Sequence, residues 1–140
     1  MNGYAERILH ANLESGETRE EPFPEKWRRA YVGGRGLGVR ILQDLVDPGI
    51  DPLSPENVLV IATGPLAGSG LPVGSRYCVI AKSPLTGTLS TSNSGGKFGT
   101  SLKRAGYDAI LGDDDRRDHR SSPERDGRSR SERGLYRSRR

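Results

Sequence analysis

Beyond Leu111 this chain has almost no apolar side chains. From Gly112 to Arg140 the only sizeable apolar groups are Leu135 and Tyr136, set among ten Arg, seven acidic residues and several Ser. Such a segment cannot bury enough surface to offset the entropy lost on ordering, so residues 112–140 are expected to form a disordered tail. Whatever folds must lie in residues 1–111, a length that allows one domain. The hydrophobic share of the whole chain is 32%, low for a globular protein, and the tail carries most of that deficit.

Within residues 1–111, apolar runs alternate with turn residues. Arg7 to Leu13 alternates apolar and polar side chains, as a half-buried strand does. Glu14-Ser15-Gly16-Glu17 reads as a turn, and Thr18 to Glu21 can return as the second strand of a hairpin. Pro24 suits the first turn of a helix over residues 24–31, which would put Trp27, Ala30 and Tyr31 on one face. The cluster Gly33 to Gly38 should interrupt it as a loop. A second helix, residues 37–46, would then turn Ile41, Leu42 and Leu45 inward. Pro48 to Glu56 is a proline-punctuated loop. Val58 to Ala62 is short and continuously apolar, as in a fully buried strand, and Tyr77 to Ala81 is a second such run. Thr88 to Ser92 (strand), Lys97 to Ala105 (helix) and Asp108 to Leu111 (start of a further strand) complete the reading. Strands and helices mix without a clean βαβ repeat, which makes the class α+β.

Charge and cysteine content exclude several functions. Residues 1–111 hold 12 basic and 11 acidic side chains, so the sequence pI of about 9.5 comes mainly from the tail. No basic stripe with interleaved aromatics is present there, and nucleic acid is not an expected partner. The single cysteine, Cys78, excludes an internal disulfide, and a four-cysteine iron–sulfur cluster cannot be built from this chain alone. Cys78 sits in an apolar run and is expected to be a small core residue. His10 and His119 are isolated, without metal-ligand spacing. No apolar run reaches membrane-spanning length and the first residues are polar and charged, so the expected compartment is the cytoplasm.

The chemistry concentrates in Lys82 to Gly99, KSPLTGTLSTSNSGGKFG. A turn leads into a short extended run, which ends in Ser94-Gly95-Gly96 before a helix-like segment. Glycines at such a junction let backbone N–H groups converge, and a helix N-terminus adds partial positive charge, so the spot suits a phosphate or similar anion. The glycine cluster GGRGLG at 33–38 has superficially dinucleotide-like spacing. It follows no buried strand and lacks a suitably placed acidic residue, so a nucleotide loop is a weak reading there.

Six blocks occur together, in order: Gly33 to Gly38, Asp51 to Asn57, Ala62-Thr63-Gly64-Pro65-Leu66, Gly74-Ser75-Arg76-Tyr77, SPLTG with NSGG, and AGYDAI. In that order the chain resembles the N-terminal domain of the aldehyde ferredoxin oxidoreductase family from Gly3 to about Leu111. The resemblance implies a tungsten or molybdenum enzyme with a bis-pterin cofactor, oxidising aldehydes to carboxylic acids and passing electrons through a 4Fe–4S cluster to ferredoxin. It implies that residues 1–111 form part of the base on which the bis-pterin sits. Arg76 is at the position that contacts pterin phosphates in the family, as guanidinium geometry allows. Asn93 matches an asparagine that helps hold a magnesium ion bridging the two pterins' phosphates, through its side chain or its backbone carbonyl. Ser94, Gly95 and Gly96 complete the cofactor-binding set, and Arg35 ranks below Arg76. A helix-cap or turn role for Asn93 is compatible with this.

The resemblance ends abruptly inside a strand at Leu111, where a family member would continue with apolar sequence. Residues 112–140 are therefore expected to be out of frame, although a genuine disordered tail or an assembly error would produce the same abrupt change. Lacking the cluster cysteines, the chain alone is expected to be inactive, and Asp108 to Leu111 is expected to leave an unpaired apolar edge. A homodimer is a further possibility for the full-length parent. The alternative reading is a non-enzymatic module that binds phosphate-bearing ligands or other partners and carries a basic tail.

Overall fold

The computed structural model describes residues 3–72 and 74–113. Its elements in chain order are β1 (Arg7–Asn12), β2 (Thr18–Pro22), α1 (Glu25–Tyr31), α2 (Gly34–Leu45), β3 (Leu59–Thr63), β4 (Tyr77–Lys82), β5 (Leu89–Ser94), α3 (Phe98–Arg104) and β6 (Ala109–Asp113). The class is α+β. The six strands form one mixed sheet in the order β2-β1-β6-β3-β4-β5. β6 runs parallel to β1, and every other pairing is antiparallel.

Register decides which residues meet. Ile8 pairs with Ala109, Ala62 with Ala109, Val60 with Leu111, and Val60 with Ile80. Directly paired residues share a face, so these side chains line one side of the sheet. They form a single core with Leu37, Ile41 and Leu42 of α2, and Trp27 and Tyr31 of α1 pack against it. α2 lies close because Gly38 faces the sheet, where a Cβ would overlap Ile80 Cδ1. The opposite face carries Leu9, Ile61, Val79 and Ile110, all only half-buried.

The structure corrects several expectations. The strand at Val58–Ala62 is not fully buried: Leu59 is 41% exposed and Ile61 half-buried, because only one sheet face is covered by α2. Tyr77–Ala81 is half-buried for the same reason, apart from Ile80. Asp108–Leu111 leaves no open edge, since β6 is bonded to β1 on one side and β3 on the other. That strand continues through Gly112 and Asp113, both buried, two residues into the segment expected to be disordered. The rest of that segment, residues 114–140, lies outside the described residues. Gly34 to Gly38 is not a loop but the start of α2. The break falls instead at Val32 and Gly33, where Val32 adopts a positive φ of 59°. Ala30, expected on the inward face of α1, is exposed.

Candidate functional site

The edge strand β5 is mostly exposed, because no described helix covers this end of the sheet, and after Leu89 its side chains are hydroxyls and an amide. Cross-strand pairing places Asn93 opposite Cys78 and Ser94 opposite Tyr77. Arg76 immediately precedes Tyr77, so the ladder brings it level with the turn at Gly95 and Gly96 that follows Ser94. Arg76, Asn93, Ser94, Gly95 and Gly96 are all exposed. Gly96 has φ +92°, a backbone shape that L side chains resist, and beside Gly95 and Gly96 a Cβ would meet only open space. The five predicted residues thus share one end of the β4–β5 pair.

Gly99 fixes this junction, and sequence reading overlooked it. It is buried in the first turn of α3, where a Cβ would lie 2.6 Å from the Ser75 carbonyl oxygen and 3.6 Å from that of Arg76. Only a residue without a side chain lets α3 rest on the Ser75–Arg76 backbone. Its signal was a glycine inside an otherwise helix-like run. The ring of Phe98 meets Tyr77 at 4.9 Å between centroids, a second fastening of α3 to β4.

Cys78 lies at the margin of the core instead of within it. Its Sγ donates to Asn93 Oδ1 at 2.8 Å, so the thiol orients the carboxamide of a predicted site residue. Gly34, the first residue of α2, is the other neighbour: a Cβ there would be 3.7 Å from Cys78 Sγ. Arg35 is exposed in the first turn of α2. His10 is buried in β1 and its Nε2 pairs with Glu21 at 2.7 Å, a structural contact far from this loop in the sheet order. Lys82, which opens the glycine- and serine-rich stretch, is also structural. Its Nζ donates to the carbonyls of Pro48 and Ile50 and ties down the proline-rich loop.

The electrostatics favour an anion. Lys97 caps α3 without a side-chain hydrogen bond, and the first turn of that helix holds no acidic residue. A cationic residue thus adjoins a helix start that no nearby carboxylate offsets. Among the described residues no group of three or more His, Cys, Asp or Glu could hold a metal ion. A magnesium ion here would depend on amide or carbonyl oxygen and on the ligand's own phosphates. Among the described residues, no helix is long and apolar enough to cross a membrane.

The model of the aldehyde ferredoxin oxidoreductase N-terminal domain matches residues 8–116. The chain belongs to the aldehyde ferredoxin oxidoreductase family. Relatives in this family include the tungsten-containing aldehyde ferredoxin oxidoreductases of Pyrococcus horikoshii, 52% identical over 111 residues, and Pyrococcus furiosus, 49% identical over the same length. Each match covers 79% of this chain but 18% of the relative, so the chain spans about a fifth of the length of these proteins. The WOR-like subunit of an aliphatic sulfonate oxidoreductase from Pyrococcus furiosus is 35% identical over 114 residues. Among solved structures, the active-site complex BamBC of benzoyl coenzyme A reductase, bound to 1,5-dienoyl-CoA, superposes with a TM-score of 0.76 at 33% identity. That match covers 80% of this chain and 17% of the other.

Proposed function

We propose that residues 1–111 are part of the cofactor-binding base of an aldehyde:ferredoxin oxidoreductase and hold the phosphate end of a tungsto- or molybdo-bis-pterin. The single observation that carries this is the β4–β5 register, which sets Arg76, just before β4, beside the exposed Gly95–Gly96 turn that ends β5. The donor set fits the group: a guanidinium, a hydroxyl, a carboxamide and uncovered backbone N–H groups, with no carboxylate among residues 93–97 to repel phosphate. Arg76 would grip phosphate oxygens with paired N–H donors, and Gly95 and Gly96 would let the backbone approach them. With the Oδ1 of Asn93 engaged by Cys78, its backbone carbonyl is the better placed oxygen for a bridging magnesium.

When bound, the tungsten or molybdenum centre would accept the electron pair released as an aldehyde becomes a carboxylic acid. The residues described here bind and orient. Delivery of electrons through a 4Fe–4S cluster to ferredoxin would fall to other parts of a full-length protein, since this chain has one cysteine. In this reading the base ends with β6 at Asp113, and the residues after it form an out-of-frame tail.

The test is Gly95→Val in a version of the protein carrying the family's full length. Its side chain would enter the open space beside the loop. Pterin and tungsten content should fall sharply while circular dichroism stays unchanged. Undiminished metal and pterin in a folded variant would overturn the assignment of this loop.

A further inference from the structure

Asp108 is 1% exposed, and no step of cofactor binding uses it. Its carboxylate accepts hydrogen bonds from the backbone N–H groups of Ala5, at 3.0 Å, and Glu6, at 2.7 Å, and pairs with Lys103 Nζ. Its backbone carbonyl accepts both the amide and the hydroxyl of Thr63 at 2.9 Å. Lys103, 10% exposed on α3, also donates to the Gly3 carbonyl and lies over the ring of Tyr4. Tyr4 in turn donates its hydroxyl to the Val32 carbonyl at 2.6 Å, at the strained joint between α1 and α2. Burying two charges is costly, and a nearly dry pair survives only where further hydrogen bonds satisfy both partners. Here the further bonds made by the two side chains go to one segment, residues 3–6.

We infer that Lys103 and Asp108 are positioning residues that clamp residues 3–6 as a strap and thereby set the two walls of the candidate cofactor site. The inference rests on the cofactor reading for its purpose but on this network for its substance. One wall is α3, which carries Lys103 and begins at the glycine loop. The other is the start of α2, which follows Val32 and abuts Cys78, the residue that orients Asn93. Releasing the strap frees both walls without touching a residue of the site.

The experiment is amide hydrogen exchange on the 140-residue chain, with Asp108→Asn, which keeps the shape but removes the charge, and Tyr4→Phe, which buries no unpaired charge. In Asp108→Asn, exchange should rise roughly tenfold or more at Ala5 and Glu6, as expected for losing a hydrogen bond to a charged group. The same rise should appear at Ser101, whose amide makes the first turn of α3 by donating to Lys97, while Val60 and Ile80 in the sheet stay protected. Tyr4→Phe should raise the labelling rate of the sole thiol, Cys78, by a disulfide reagent. A general loss of protection that includes Val60 and Ile80 would show a pair that merely stabilises. Opening at Ala5 and Glu6 with Ser101 unchanged would overturn the positioning role. If Asp108→Asn does not fold, the Tyr4→Phe labelling rate decides alone, and an unchanged rate overturns the inference. A parallel titration with magnesium pyrophosphate separates the two ideas: absence of shifts at residues 93–96 would sink the cofactor reading and leave the exchange result standing.

Discussion

At the scale of single residues, Arg76 carries the sharpest prediction. A charge-assisted hydrogen bond contributes about 1.5–3 kcal/mol, so Arg76→Ala should weaken magnesium pyrophosphate binding roughly ten- to hundredfold, measured by calorimetry. Arg76→Lys should recover only part of it, because an ammonium lacks the planar fork. An equal affinity in all three proteins would remove Arg76 from the site. A second prediction concerns the surface trio Arg7, Glu20 and Tyr107, of which Tyr107 is half-buried. The Tyr107 hydroxyl donates to Glu20, which holds that carboxyl below the usual glutamate range and, reciprocally, raises the phenol. Arg7 lowers the Glu20 value further. For Glu20 the folded value is depressed, so its contribution is full above the ordinary glutamate value and fades as pH falls through the lowered one. For Tyr107 the folded value is raised, so its contribution is full below the ordinary tyrosine value and fades as pH rises through the raised one. Melting temperature against pH should show both shoulders, and Tyr107→Phe should flatten the alkaline one and reduce the acid one. Identical profiles would show that the bond is not populated in solution.

At the scale of elements, the seat of α2 on β4 is set by the absence of one carbon. Gly38→Ala should destabilise the protein by about 1–3 kcal/mol through overpacking against Ile80. Ile80→Val removes the overlapping Cδ1, so the double variant should be more stable than the two single losses predict. Additive losses in chemical denaturation would contradict this contact. The same element shows why sequence reading succeeds in one place and fails in another. The β1–β2 hairpin was legible because alternation and a glycine-bearing turn are local signals. β5 was legible to within two residues: the strand expected over Thr88 to Ser92 runs from Leu89 to Ser94. The first turns of α2 were not legible. Gly34, Gly36 and Gly38 lower helix propensity, and what overrides this is packing against β3 and β4, a contact between distant parts of the chain. Gly99 was missed for a similar reason, since its need arises at Ser75. The one-sided exposure of β3 was also hidden, because a run of apolar residues does not say which faces are covered.

At the scale of the whole molecule, β6 holds the sheet together. It alone joins the β2–β1 hairpin to the β3–β4–β5 meander. A chain ending at Asp108 should therefore lose cooperative unfolding. Its circular dichroism melt should broaden, whereas a chain ending at Asp113 should retain the transition of the full 140 residues. Two matching sharp transitions would show that the halves associate without β6. This central position was beyond reach of sequence reading. Asp108–Leu111 announces a strand by its apolar content, but nothing local tells an interior strand from an edge.

The same placement has a consequence for how the protein is made. β1 leaves the ribosome well before its parallel partner β6, the last described strand to be synthesised. At rates of about 5–20 residues per second, the stretch between Asn12 and Ala109 takes on the order of 5–20 s to translate. Throughout that time the hairpin presents a bare strand edge, with Ile8 and Leu9 on either face, that its own chain cannot yet fill. Nascent protein is thus most open to capture by other strands early in synthesis, and that exposure ends only when the strand beginning at Ala109 slides between β1 and β3.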